Sequence, residues 1–550
     1  CGLRIDRGRA DCASGTERTA SRNLDGSTPV KKNAVFGSNP DVIAPNLGSV
    51  RIINSNQIEI EFTEPIINFT SINASQYSIN LGIGSPATIN YVGIPATSVL
   101  LSFSNPLQSN VIYSVTVNTT LNDCAGNSSA TTLSANFSNY NAKQFDIVIN
   151  EIMADPDPVV GLPNFEYVEL LNRSLFPINL AQWQLKYGTS FKTLPSASIN
   201  PGEYVILCAA NAYQSLQSFG KTIVIPGLSS SAITNSGTSL VIADTSGKVI
   251  YAVNYLDTWY GNADKVNGGF SLEQIDVLNP CGGKSNWLAS TNQLGGTPGT
   301  VNSIAANNPD NRAPSIKAIC TETNNTIRVK FSEPQDSTSM LNASIYTVDN
   351  GIGTPSNIQM FGPLYDQIVL TFNTNFGPST IYTLGINGTI KDCAGNTIST
   401  ATSQKFSMYQ AQAYDIVINE IMADETPVVA LPATEYIELY NKTSQPISLM
   451  NYNLKTGSSS TLLSCASIQA GEFLTILQKT GNGEDLVFGN NYVAESYSSL
   501  TNTGAEITLS ASNGTIISSV FFSDQWYGNS DKAAGGWSLE QKDPLNPCAG

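Results

Sequence analysis

The chain contains no histidine at any of its 550 positions. That absence removes the commonest general base, the Ser-His-Asp and Cys-His nucleophilic arrangements, HExxH zinc sites and every imidazole-bound metal. Charge is scarce as well: 13% of residues are charged, and 43 acidic against 27 basic residues leave a formal charge of −16. A surface of that sign repels nucleic acid and anionic membranes, so neither is expected as a partner. No apolar run approaches the roughly 18 to 20 residues that cross a bilayer. The opening CGLRIDRGRADC lacks the apolar core of a signal peptide, which reads as a chain without membrane insertion, already processed or excerpted. Nine cysteines are too sparse for a disulfide-dense miniature fold, and none forms a CxxC pair.

What the sequence has instead is repetition. DIVINEIMADPDPVVGLPNFEYVELLN at 146–172 returns as DIVINEIMADETPVVALPATEYIELYN at 415–441, so Glu151 recurs as Glu420, 269 positions on. The same offset lays IEIEFTEP (58–65) over IRVKFSEP (327–334) and LNDCAGN (121–127) over IKDCAGN (390–396). Further along, DTWYGNADK (257–265) meets DQWYGNSDK (524–532) at an offset of 267, as a two-residue loop deletion would give. The first residues fall into register too, since 25–45 lie over 294–314 and Cys12 lies over Cys281. The expected layout is therefore a tail of a preceding unit (1–43), then halves at 44–140, 141–305, 306–410 and 411–550, the last without its NW…GGTPG tail.

Both halves of the unit read as all-β. Ile58, Ile60 and Phe62 alternate with Glu59 and Glu61, a period of two that puts one face in a core and the other in water. Short strands about every ten residues, broken by turns such as LGIGSP and SNPLQSN, predict Greek-key sandwiches of about 100 residues. No stretch holds a helical period.

With an APxI-type opening, FTEP or FSEP after an alternating strand, and DCAGN before the last strand, the first half resembles the bacterial Ig-like domain of S-layer-type proteins. The second half resembles the lamin-tail domain through Ile149–Ile152, Glu166–Asn172, Pro177–Leu180, Trp183 and Pro201–Glu203. The second copy keeps most of that pattern but has Ala470-Gly471-Glu472 in place of the ProGlyGlu. The resemblance implies a tandem array of Ig-like β-sandwiches, of the kind found in large secreted surface proteins of Bacteroidota exported by the type IX route. It implies no activity, because lamin-tail domains accompany catalytic domains that lie elsewhere.

Asp155 and Asp157 form a DxD able to hold Ca²⁺ with loop carbonyls, yet the second copy reads Asp424-Glu425-Thr426, which favours a solvated proline-rich loop. Glu166 and Glu169, three apart on a strand, are expected on opposite faces and in structural roles. Trp259 with Tyr260, and Trp526 with Tyr527, are candidates for glycan stacking or else buried corner aromatics. Cys124 and Cys393 share one phase of the repeat, and Cys12, Cys281 and Cys548 another, so bridges Cys124–Cys281 and Cys393–Cys548 are expected, with Cys320–Cys393 as the rival. Cys208, Cys320 and Cys465 then stand unmatched between units. No cofactor and no catalytic residue is expected. The reading is a non-enzymatic extracellular structural or adhesive protein forming a rod or filament at the cell surface, with copies of itself or neighbouring repeats end to end, and surface glycan, as expected partners; the alternative is a carbohydrate-binding or substrate-capturing accessory region of a larger secreted enzyme. A hydrolase working with carboxylates alone, at Glu151 or Glu166, stands third.

Overall fold

A computed structural model describes residues 41–398, 402–478, 489–494 and 497–547. The chain divides into two compact units that interleave in sequence. The first comprises Cys1–Thr234, Ser239–Tyr251 and Asn292–Ser303, and the second Asn235–Thr238, Ala252–Thr291 and Ile304–Gly550. Each unit holds one Ig-like half packed against lamin-tail strands, and the described elements are all strands apart from short single turns of helix.

In the first unit the Ig-like half is a sandwich. One sheet runs Leu47–Asn54, Gln57–Ile66, Ala96–Ser102, Thr88–Val92; the other runs Tyr77–Ile79, Ile112–Val117, Leu133–Ser138. The alternation read from IEIEF holds: Ile58 and Ile60 are fully buried with Val99, Val115 and Tyr77. Their neighbours Glu59 and Glu61 face outward to Arg51 (2.6 Å) and Ser49 (3.0 Å). Burying such a row, at about 25 cal/mol per Å² of apolar surface, is what commits the hairpin to one register. The second unit repeats the design with Ile316–Thr323, Thr326–Phe331, Gln367–Thr371 and Asn357–Phe361 facing Tyr346–Val348, Ile381–Ile386 and Thr402–Ser407.

The lamin-tail sheet of the first unit orders Thr222–Val224, Tyr204–Cys208, Tyr167–Asn172 and Ile147–Met153. Its counterpart in the second unit orders Asn491–Ala494, Phe473–Gln478, Tyr436–Asn441, Ile416–Met422 and Leu539–Glu540, opposite a four-stranded sheet that includes Asn453–Thr456 and Gly504–Ser510. Ile437, Leu439, Leu454, Ile476, Ile507 and Leu509 fill the space between them.

The two halves meet in the same way in both units. Ser138 Oγ donates to Pro177 O (2.8 Å) in the first, and Ser407 Oγ to Pro446 O (2.8 Å) in the second. The intervening segment is tied down rather than loose. Tyr140 OH donates to Asp146 Oδ2 (2.7 Å) and its ring stacks on Phe176 at 4.2 Å, while Tyr409 repeats the bond to Asp415 (2.7 Å). The edge of the joint differs between units. Ser49 Oγ and Ser196 Oγ lie 2.8 Å apart in the first, whereas in the second a disulfide joins Cys320 to Cys465, with Cα atoms 5.6 Å apart.

Candidate functional site

The carboxylates of the duplicated stretch sort themselves by what they accept. A bulge between Ile149 and Glu151 shifts the register of strand Ile147–Met153 so that Glu151 sits directly across from Glu169. Two like charges side by side on one pair of strands repel, and here both side chains are fully buried. The first unit answers this with donors from its own residues 292–303. Glu151 Oε1 accepts Thr297 N (2.8 Å) and Tyr167 OH (2.7 Å), while Glu169 accepts the Gly299 amide and Asn150 Nδ2 (2.9 Å). Asn150 closes the set by bonding Asn302 in both directions, 2.7 and 3.0 Å. The glycines of Gly-Gly-Thr-Pro-Gly are required by this approach: a Cβ on Gly296 would lie 2.6 Å from Glu151 Oε1 and 2.7 Å from Tyr167 OH. Gly299 takes φ +83°, a backbone open to glycine and strained for other residues.

This cluster is a latch for the chain's own segment. Both carboxylates, Glu151 of the third, carboxylate-only hydrolase reading included, are buried and engaged by protein donors.

Glu166 lies one residue before its strand and accepts the Ile233 amide at 2.9 Å, in a cleft lined by Tyr167, Leu185, Tyr187, Leu228 and Ile233. Burial, with Asp155 nearby, pushes its carboxyl up to about 7. Glu435 repeats the arrangement: it accepts Leu500 N (2.6 Å) and Gln478 Nε2 (3.1 Å), and burial again lifts it to about 7. A loop amide is what each holds.

Asp155 Oδ1 accepts the Asp157 amide at 3.3 Å, and among the described residues the two join no third acidic or cysteine ligand. The carboxylates that do gather lie elsewhere and recur: Asp41, Glu64 and Asp123 in the first unit, and Asp310, Glu333 and Asp392 in the second, with candidate ligand atoms within 4.8 Å of one another. Asp123 and Asp392 belong to the two DCAGN turns, where each accepts the amide of the Asn four residues on at 2.8 Å. Burial and the charges of Asp310 and Asp392 raise Glu333 to about 8. Each set of three could hold a cation, and Asp155 and Asp157 belong to neither set.

The aromatic pairs part company. Trp259 and Tyr260 are 5% and 4% exposed, so neither face is open to a sugar; Trp526 is 57% exposed and Tyr527 partly so.

The cysteine pairing also differs from expectation. Cys281 bonds Cys393, with Cα atoms 6.2 Å apart, and not Cys124, so the bridges Cys124–Cys281 and Cys393–Cys548 and the rival Cys320–Cys393 do not form. Phase marks two cysteine classes but does not say whether a member joins the class before it or after it. Cys320 and Cys465, unmatched between units because their counterparts are Arg51 and Ser196, bond each other. Cys124 is disulfide-bonded and Cys208 is a buried free thiol, while Cys12 and Cys548 lie outside the described residues.

No curated protein matches the chain. Among solved structures, the N-terminal part of the bacterial S-layer protein SbsC is 12% identical, covering 38% of this chain and 44% of its own, with a TM-score of 0.17. Domains 1–6 of surface layer protein SbsC are 11% identical over 87% of this chain, which spans 65% of that structure, with a TM-score of 0.16. A Bacteroides ovatus protein, SGBP-B of the mixed-linkage glucan utilization locus, solved with a mixed-linkage heptasaccharide, is 10% identical over 80% of this chain and 90% of its own, with a TM-score of 0.12. Superpositions this poor carry no argument about the present chain. The family models do: the Bacterial Ig-like domain matches residues 38–139 and 300–408, and the Lamin Tail Domain matches 141–257 and 410–524. The chain is a tandem of bacterial Ig-like and lamin tail domains, each present twice and in alternation.

Proposed function

We propose that the chain is a non-enzymatic extracellular repeat protein that holds its Ig-like and lamin tail domains as stiff pairs, giving reach and repeated contact surfaces at a cell surface. The observation that carries this reading is the joint built twice, with Ser138–Pro177 and Ser407–Pro446 in the same place and Tyr140 and Tyr409 each bracing the connecting segment. The disulfides Cys281–Cys393 and Cys320–Cys465 favour an oxidising, extracytoplasmic setting. Both domain types are non-catalytic kinds, and the buried carboxylates serve as internal acceptors. Spin labels placed as non-natural residues at exposed Ile94 and Phe191, one on each half of the first unit, test it. A single narrow distance distribution is expected; a broad one means that the halves move freely and the stiff-pair reading is wrong.

Carbohydrate capture is a second reading, favoured by the exposure of Trp526 beside the partly exposed Tyr527. It requires saturable glycan binding that Trp526→Ala abolishes.

A further inference from the structure

The two joints carry opposite charge on the same strand face. In the first unit strand Gln57–Ile66 presents Glu59 and Glu61 there; in the second the same positions hold Arg328 and Lys330, and Lys317 stands where the first unit has Gly48. Ala318 pairs with Lys330 and Cys320 with Arg328, so these four residues share a face. Ala318 and Cys320 are buried with Cys465, and Met450 packs beside them, so the face looks onto the lamin tail half of its own unit. Lys330 Nζ accordingly lies 5.7 Å from the centre of the Tyr492 ring. Lys317 is the extra residue of a bulge between Ile316 and Ala318, which sets it beside Lys330.

The positive charge at this joint is only partly matched. Arg328 pairs with Glu322 and lies over the Phe361 ring at 3.8 Å. Asp366 is near Lys330 and Arg328, yet burial raises its carboxyl. Lys317 is partly buried and makes no ion pair or side-chain hydrogen bond among the described residues. Burial, together with the charge of Lys330, lowers its amine from the ordinary 10.5. An ammonium partly out of water beside a second ammonium is costly, and an anion held between the two relieves the repulsion and replaces the lost hydration.

We infer that Lys317 and Lys330 form a seat for a compact oxyanion, of the sulfate or phosphate kind, at the joint of the second unit. Each lysine supplies an ammonium donor, and the Cys320–Cys465 bridge holds the lamin tail half, with Tyr492, against the strands that carry them. The first unit has no equivalent, because Gly48 offers no side chain and Glu61 repels an anion. The seat therefore occurs once per chain.

Equilibrium dialysis of the whole oxidised chain against radiolabelled inorganic sulfate, at an ionic strength fixed with chloride, tests this. One saturable site per chain is expected, half-filled below about 10 mM. Lys317→Gln and Lys330→Gln should each weaken it by about tenfold or more, whereas Lys317→Arg, which keeps the charge, and Lys221→Gln in the first unit should not. Hydrogen exchange of the second unit in each variant separates a lost seat from a lost fold. No saturable site, or one that a folded Lys317→Gln or Lys330→Gln chain retains, overturns the inference. Methyl sulfate as competitor separates two sources of the anion: displacement extends the seat to esterified anions, failure restricts it to the free ion, and both keep the two lysines as its donors. None of these results bears on whether the domain pairs are stiff.

Discussion

The joint between the Ig-like and lamin tail domains is stapled in the second unit only, and the first unit offers the same positions. Arg51 and Ser196 are the counterparts of Cys320 and Cys465 and keep the same separation of 145 residues. If the joints share one geometry, R51C/S196C forms a bridge on its own in the oxidised chain. Closing a loop of that length removes about 5 kcal/mol of unfolded-state entropy in the loop-closure description. The loss of the Arg51–Glu59 pair, whose side chains are 39% and 17% exposed, offsets this by about 0–1 kcal/mol. A net gain of about 4–5 kcal/mol is the ceiling, since any native-state strain subtracts from it. Thiol titration before and after unfolding reports the bridge, and hydrogen exchange of peptides within 44–234 across a guanidinium series reports stability. The first unit's midpoint should rise under oxidising conditions and return with reductant, with the second unit's peptides unchanged. Two more titratable thiols in the oxidised variant than in the parent chain, or a bridge without a shift, would show that the two joints are not equivalent.

Three further outcomes follow from the same contacts. Glu151→Ala strands the Thr297 amide and the Tyr167 hydroxyl in a buried site, a loss of about 3 kcal/mol or more from the first lamin tail domain, whereas Glu151→Gln keeps an acceptor and loses less; chemical denaturation separates them. Glu166 and Glu435 have native carboxyls near 7 against an ordinary 4.5, so the folded state holds protons that the unfolded state releases between those values. Stability should therefore fall as pH rises from about 5 to about 8, by on the order of 1–2 kcal/mol per group after screening, and Glu166→Gln/Glu435→Gln should flatten the slope in melts taken across that range. Cys320→Ser/Cys465→Ser should lower the second unit's unfolding midpoint by several kcal/mol equivalents, while Cys208→Ser, which breaks no bridge, should cost far less; calorimetry of the oxidised proteins checks both.

The fold was readable because the evidence for it is local and occurs twice. Ile58, Ile60 and Phe62 declare a face by period alone, and their counterparts Ile327, Val329 and Phe331 declare the same face again. The site was harder. That Glu151 opposes Glu169 depends on a bulge, and no residue pattern around Asn150 announces one. The donors that satisfy the pair come from Thr297 and Gly299, 146 and 130 residues away. A clue was present in the glycines of GGTPG, which mark a close backbone approach without saying to what. The cysteines failed for a different reason: Cys320 and Cys465 occur in one copy only, so a comparison of copies discards the bond that the structure makes.

The two bridges of the second unit overlap along the chain, Cys281–Cys393 enclosing Cys320 and Cys320–Cys465 enclosing Cys393. Under tension applied from the ends, the shortest covalent path from Cys281 to Cys465 runs along the backbone to Cys320 and then crosses the second bridge. That path can lengthen to roughly 140 Å at about 3.6 Å per residue, where the same stretch without bridges would pay out roughly 660 Å. Even with its sandwiches pulled open, this part of the molecule acts as a short tether, surrendering little length to a load and leaving an intact crosslinked chain to refold when the load is released.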